Sequence, residues 1–162
     1  DTLRALSKKV DKGIVRIGVF VNEPKDNVIR LLEDEVIDMA QLHGGEDEDY
    51  IIKLREETAK PIIKAFTIKD RACVDLALSS PADMVLCDYG MGEGKTFDWS
   101  LLSDFGRDYI LAGGLSVNNL KKALEELNPY AVDISSGVET DKKKDHDKII
   151  EVVKIVRSHK SL

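Results

Sequence analysis

Cysteine is scarce in this chain: two, Cys73 and Cys87, in 162 residues. They have neither Cys-x-x-Cys spacing nor metal-like neighbours, which sets aside a disulfide framework or a metal site and suits a reduced, cytoplasmic setting. Cys73 accompanies Leu76 and Ala77 on a helical pattern, and Cys87 ends an apolar run, so both read as core thiols rather than nucleophiles. No apolar run reaches 18 residues and no N-terminal signal pattern is visible, so neither membrane spanning nor export is expected. Positive charge is also in deficit, with 24 Lys and Arg against 30 Asp and Glu, a net charge of −6 and a pI near 5.1. A nucleic-acid partner would need a basic face. The only basic run, Lys142, Lys143 and Lys144, is flanked by Asp141 and Asp145 and reads as a solvated loop. The Gly-x-Gly-x-x-Gly turn of nucleotide-binding open sheets is missing from the N-terminal part.

What is present is a repeat. Hydrophobic residues make up 43% of the chain, enough for a core in a single domain spanning 1–162. Short β-branched runs fall at 14–21, 36–42, 61–67, 83–87, 109–112 and 131–134, about two dozen residues apart. Helical patterns fill the gaps. Pro24 suits a first helical turn after Asn22, Glu46 to Asp49 load acid at a helix start, and Asp70, Asp98, Ser116 and Asp145 are N-cap types. Apolar strands alternating with helices predict a parallel sheet with helices packed over it.

Polar or small residues close nearly every strand: Asn22, His43, Thr67, Asp88, Gly113 with Gly114, and Ser135 with Ser136. Such ends converge when a sheet curls around one centre, so the predicted fold class is α/β of the (βα)8 TIM-barrel type. Eight units of this length need about 200 residues, and the chain has room for about six strands. It opens on a helical pattern in which Leu3, Leu6 and Val10 share a face. The expectation is an incomplete barrel lacking its front, whose open edges would invite a second copy or a strand-supplying partner.

The stretch Tyr109-Ile-Leu-Ala-Gly-Gly to Ser135-Ser-Gly137 reads as strand, Gly-Gly, helix, strand, Ser-Ser-Gly. Bare N–H groups after the last two strands suit a phosphate dianion, which points to a phosphorylated small molecule. Asp88, at a strand's C-terminal end, suits general-acid work, or alternatively a cap or loop ion pair. Period-two alternation puts Gln41 and His43 on one face, where they could hydrogen-bond a ligand. Asp133 shares a face with Ser135 and fits either a sugar hydroxyl or a structural ion pair. His146 and His159 read as surface residues. Gly94-Lys95-Thr96 invites a P-loop reading, but the motif needs glycine at position 89, which is Tyr. A glycine-rich loop that closes over a site fits 90–96 better.

Val19-Phe20-Val21-Asn22, Gln41-Leu42-His43-Gly44, Gly94-Lys95-Thr96-Phe97-Asp98-Trp99, Leu111-Ala112-Gly113-Gly114-Leu115 and Val132-Asp133-Ile134-Ser135-Ser136-Gly137-Val138-Glu139 together resemble the phosphoribosylanthranilate isomerases of tryptophan biosynthesis. The likeness runs from about residue 3 to the C-terminus and includes Lys143-Lys144-Asp145-His146-Asp147. It implies a (βα)8 barrel without metal or organic cofactor that performs an Amadori rearrangement. It also implies Asp88 as the acid that protonates the furanose oxygen, and His43 and Asp133 as pocket residues. Gly113, Gly114, Ser135, Ser136 and Gly137 match the phosphate-binding backbone. The family's first strand, first helix and second strand, with the Lys-x-Cys-Gly segment that carries the base, have no counterpart in this sequence, and neither Cys73 nor Cys87 sits where that cysteine does. The alternative expectation is therefore a phosphosugar-binding barrel fragment without turnover.

Overall fold

The computed structural model describes residues 2–89 and 99–159. The glycine-rich stretch at 90–96 and the Asp98 cap lie outside the described residues. Six strands are hydrogen-bonded neighbours in chain order: β1 (Ile17–Phe20), β2 (Met39–Leu42), β3 (Ile62–Thr67), β4 (Met84–Asp88), β5 (Tyr109–Ala112) and β6 (Ala131–Val132). β1 pairs with β2, β2 with β3 and β5 with β6 in parallel, with Val19 opposite Gln41 and Ile110 opposite Ala131. Helix α1 (Thr2–Ser7) precedes β1, while α2 (Lys25–Glu33), α3 (Glu48–Arg55), α4 (Arg71–Ser79) and α5 (Val117–Leu127) connect successive strands. A 3-10 turn at Trp99–Leu102 stands before β5, and another at Ser136–Val138 follows β6. A hairpin of β7 (Glu139–Thr140) and β8 (Lys143–Lys144) leads into α6 (His146–His159).

The chain separates into two compact units, Asp1–Ala65 with Ser79–Val85, and Phe66–Leu78 with Leu86–Leu162. In the first, Val28 and Leu32 of α2 and Ile51 and Leu54 of α3 meet Ala40 and Leu42 of β2 and Ile62 of β3. These i, i+3 and i, i+4 spacings give each helix one apolar stripe, and burying each large side chain contributes about 1.5–3 kcal/mol. Asp47 caps α3 by accepting from the Tyr50 N–H at 2.9 Å. The second unit packs Leu120 and Leu124 of α5 with Val138 and with Val152 of α6, and every residue of β5 is buried. Asp70 accepts from the Cys73 N–H at the start of α4, and Asp145 from those of Asp147 and Lys148 at the start of α6. Arg107 closes the far end of α4 by donating to the carbonyls of Ala77 and Leu78, each at 3.2 Å. Each of these contacts satisfies helix-end groups that would otherwise lack partners.

Several predicted boundaries shrink. The run at 14–21 yields a strand only from Ile17 to Phe20, and 36–42 only from Met39 to Leu42. The Asp38 carboxylate takes the Arg16 N–H at 2.7 Å, so side-chain bonding replaces the ladder there. The opening helix is shorter than its pattern and stops before Val10, and Leu3, Leu6 and Val10 are all exposed. The basic run is solvent-facing but not a loop: Lys143 and Lys144 form β8, opposite Thr140 and Glu139.

Candidate functional site

In the second unit, Asp88 is the last residue of β4 and is half-buried. Its carbonyl accepts from the Ile68 N–H at 2.9 Å, and the next N–H, that of Tyr89, reaches the Ala112 carbonyl at 3.4 Å. The end of β4 therefore adjoins the end of β5, where Gly113 and Gly114 follow with φ of 89° and 63°. Only glycine takes two such values in succession without strain. Asn119 fastens this turn from its outer side: its Nδ2 donates to the Gly114 carbonyl at 3.0 Å and its Oδ1 accepts from the Ser116 N–H at 2.8 Å.

The turn after β6 lies directly against it. A Cβ on Gly137 would fall 1.8 Å from the Leu115 carbonyl oxygen, so the two backbones touch and only glycine fits. Among the described residues, no acceptor takes the N–H of Gly113, Gly114, Ser135, Ser136 or Gly137. Five donors on two touching turns, at the C-terminal edge that also carries a carboxylic acid, make an arrangement suited to a doubly charged oxyanion. Asp133 is exposed just past β6, its N–H bound to the Leu111 carbonyl at 2.8 Å.

In the first unit, Gln41 and His43 do share a face, with Gln41 Nε2 3.0 Å from His43 Nδ1. Gln41 is buried and His43 half-buried. Behind them lies a cluster the sequence reading missed. Lys64 of β3 donates to the Gly44 carbonyl at 2.7 Å and to Glu46 Oε2 at 3.1 Å, and both side chains are almost wholly buried. Glu46 also accepts the N–H of Asn22 at 2.6 Å and of Gly44 at 2.8 Å. Burial opposes its charge, but these bonds prevail and hold the carboxyl below its ordinary range. Asn22, at φ 54°, accepts the Gly45 N–H at 2.7 Å. The knot fixes the turn that carries His43. A lysine inside the apolar run Pro61-Ile-Ile-Lys64-Ala-Phe was the readable signal.

Cys87 is fully buried, and that burial pushes its thiol up to about 12 despite the nearby Arg107. It is inert as a base or nucleophile near neutral pH. Among the described residues, no three His, Cys, Asp or Glu side chains gather to hold a metal ion, and no helix is long and apolar enough to cross a membrane.

Parallel βα units with a carboxylic acid and glycine turns gathered at the strand ends define an α/β protein of the barrel-forming kind. Comparison with known proteins specifies it. The model of the N-(5′-phosphoribosyl)anthranilate (PRA) isomerase family matches residues 2–155. The N-(5′-phosphoribosyl)anthranilate isomerase of Endomicrobium trichonymphae is 50% identical over 155 residues, covering 92% of this chain and 76% of its own. That of Thermoanaerobacter sp. (strain X514) is 40% identical over 156 residues, covering 91% and 75%. A crystal structure of monomers generated from the dimeric Thermotoga maritima isomerase superposes with a TM-score of 0.81 at 33% identity, over 96% of this chain and 78% of that one. A crystal structure of a phosphoribosyl anthranilate isomerase in complex with reduced 1-(o-carboxyphenylamino)-1-deoxyribulose 5-phosphate gives a TM-score of 0.82 at 33% identity, over 96% of this chain and 78% of that one. The chain belongs to the phosphoribosylanthranilate isomerase family, and its fold is of the (βα)8 TIM-barrel type. It spans about three quarters of the length of these relatives.

Proposed function

We propose that the chain acts in tryptophan biosynthesis, isomerising N-(5′-phosphoribosyl)anthranilate to 1-(2-carboxyphenylamino)-1-deoxyribulose 5-phosphate. Asp88 donates its proton to the furanose ring oxygen as the C1′–O bond breaks, leaving a protonated imine. Loss of the C2′ proton then gives the enol, which tautomerises to the ketose. Cys87 does not serve as the base for that loss, being buried with its thiol pushed up to about 12. The main-chain donors of Gly113, Gly114, Ser135, Ser136 and Gly137 hold the 5′-phosphate. Gln41, His43 and Asp133 contact the remainder of the substrate. In the same reading the chain is cytoplasmic and pairs with a second copy along β1.

The contact between Gly137 and Leu115, which brings two unclaimed rows of N–H groups together beside the end of β4, supports this reading most strongly. The relative solved with a reduced 5-phosphate ligand supports it independently. The test is Asp88→Asn, an isosteric change that removes the transferable proton. Following the disappearance of substrate fluorescence, kcat should fall by about 10²–10⁴, the usual worth of a positioned general acid, with KM changed less than threefold. Unchanged turnover in the variant would remove Asp88 from the mechanism.

A further inference from the structure

Lys144 is bound in a way the charge-run reading did not anticipate. Its Nζ donates to the Ser135 carbonyl at 2.9 Å, to Ser135 Oγ at 3.2 Å and to Glu139 Oε1 at 2.8 Å. All three ammonium protons are thereby committed, two of them to the residue that opens the turn after β6. The hairpin carrying Lys144 is built at some cost. Its two central residues, Asp141 and Lys142, both have left-handed φ, 51° and 61°, a type I′ geometry that favours Asn-Gly or Asp-Gly. Lysine there is strained. Three contacts hold the hairpin in place nonetheless: the Asp145 N–H donates to the Val138 carbonyl at 2.8 Å, Thr140 Oγ1 to Asp145 at 2.6 Å, and Lys148 Nζ to the Glu139 carbonyl at 2.6 Å.

We infer that Lys144 is a positioning residue for the phosphate turn, acting through Ser135 rather than touching the ligand; this rests on the phosphate assignment proposed above. Two consequences follow from the bonds. A trans peptide holds its C=O and the following N–H in opposite directions. Drawing the Ser135 carbonyl onto the ammonium therefore turns the Ser136 N–H the other way, and no acceptor among the described residues takes it. Similarly, Ser135 Oγ already accepts from Lys144, so its own hydroxyl proton is available to donate to an anion. The Val138 N–H also donates to the Ser135 carbonyl, at 3.4 Å, so Lys144 and the 3-10 turn together set the direction of the Ser136 N–H, and Lys144 that of the Ser135 hydroxyl. Asn119 fixes the other turn by holding the Gly114 carbonyl.

The test compares binding of reduced 1-(o-carboxyphenylamino)-1-deoxyribulose 5-phosphate and of its dephosphorylated form to the full chain and to Lys144→Gln and Lys144→Arg. Lys144→Gln should weaken the phosphorylated ligand about tenfold, the loss expected for one or two bonds to a charged group. It should leave the dephosphorylated ligand within twofold, and Lys144→Arg should recover most of the loss. In amide NMR, the downfield shift of the Ser136 N–H on ligand addition should shrink in the Gln variant. No loss, an equal loss for both ligands, or an Arg variant as weak as the Gln variant would each overturn the inference. If the unaltered chain does not discriminate between the two ligands, the phosphate assignment itself fails.

Discussion

Gly114 and Gly137, both assigned above to the proposed phosphate site, are glycine for different reasons. Gly114 has open space where a Cβ would go and a φ of 63°, so alanine there meets a conformational penalty only. Left-handed backbone costs about 1 kcal/mol for a residue with a Cβ. At Gly137 the Cβ would overlap the Leu115 carbonyl at 1.8 Å and crowd Ser116 Cα at 3.0 Å. The obstacle is backbone, which cannot swing aside as a side chain would. Gly137→Ala should therefore lower the unfolding free energy by about 2–3 kcal/mol, in the range of overpacked sites, and Gly114→Ala by about 1 kcal/mol, both measured by urea unfolding. The two should also differ in binding: separating the turns in Gly137→Ala should abolish discrimination in favour of the phosphorylated ligand, whereas Gly114→Ala should only reduce it. Equal stability losses would mean that the turns yield easily, contrary to the packing.

The segments entering β1 and β2 are joined by one ion pair. Arg16 Nε and Nη2 donate to the two oxygens of Asp38 at 2.8 and 2.7 Å, and the Arg16 N–H adds a third bond. The Asp38 N–H returns one to the Arg16 carbonyl. The guanidinium bond, followed by the backbone bond, holds the Asp38 carboxyl down at about 2. A depressed folded value means the stabilisation is fully present above the unfolded value, near 3.9, and is lost as pH falls through about 2. Asp38→Asn should thus cost about 1 kcal/mol at pH 7, a discounted figure because both partners are roughly a third exposed. That deficit should narrow between pH 4 and pH 2 when urea midpoints of the two proteins are compared; a gap constant across that window would assign the loss to something other than charge. Periodicity revealed that these strands exist but not where they begin, because a carboxylate 22 residues away takes the N–H that the ladder would have used. Lys64 was hidden for the same reason. Its acceptors on Gly44 and Glu46 are distant in sequence, so a charged residue in an apolar strand carried no visible partner. Gly113, Gly114 and the Ser-Ser-Gly turn were legible because their chemistry is local, whereas Lys144 lies in a hairpin without the glycine that usually announces one.

Considered as one molecule, the protein leaves an unusual stripe at the outer strand of its six-stranded sheet. Among the described residues β1 has a strand neighbour on one side only. Ile17, Val19 and Val21 alternate outward and are 43%, 60% and 64% exposed. Natural edge strands are protected by charge, proline or bulges, yet Ile17-Gly-Val-Phe-Val21 contains none of these gatekeepers. Neighbouring Ile14 and Val15 are exposed as well, which widens the apolar surface. Unpaired main-chain groups flanked by apolar side chains are complementary to another such edge, so a second copy is the occupant proposed here. Sedimentation velocity should show the weight-average coefficient rising with concentration between about 1 and 200 µM, the range in which modest interfaces associate. Val19→Lys places a charge in the middle of the stripe at a residue that is itself exposed, and it should return the protein to a monomer with an unaltered circular dichroism spectrum. A wild-type coefficient that stays at the monomer value throughout would show that the edge is tolerated in solution, and the proposed pairing would have to be given up.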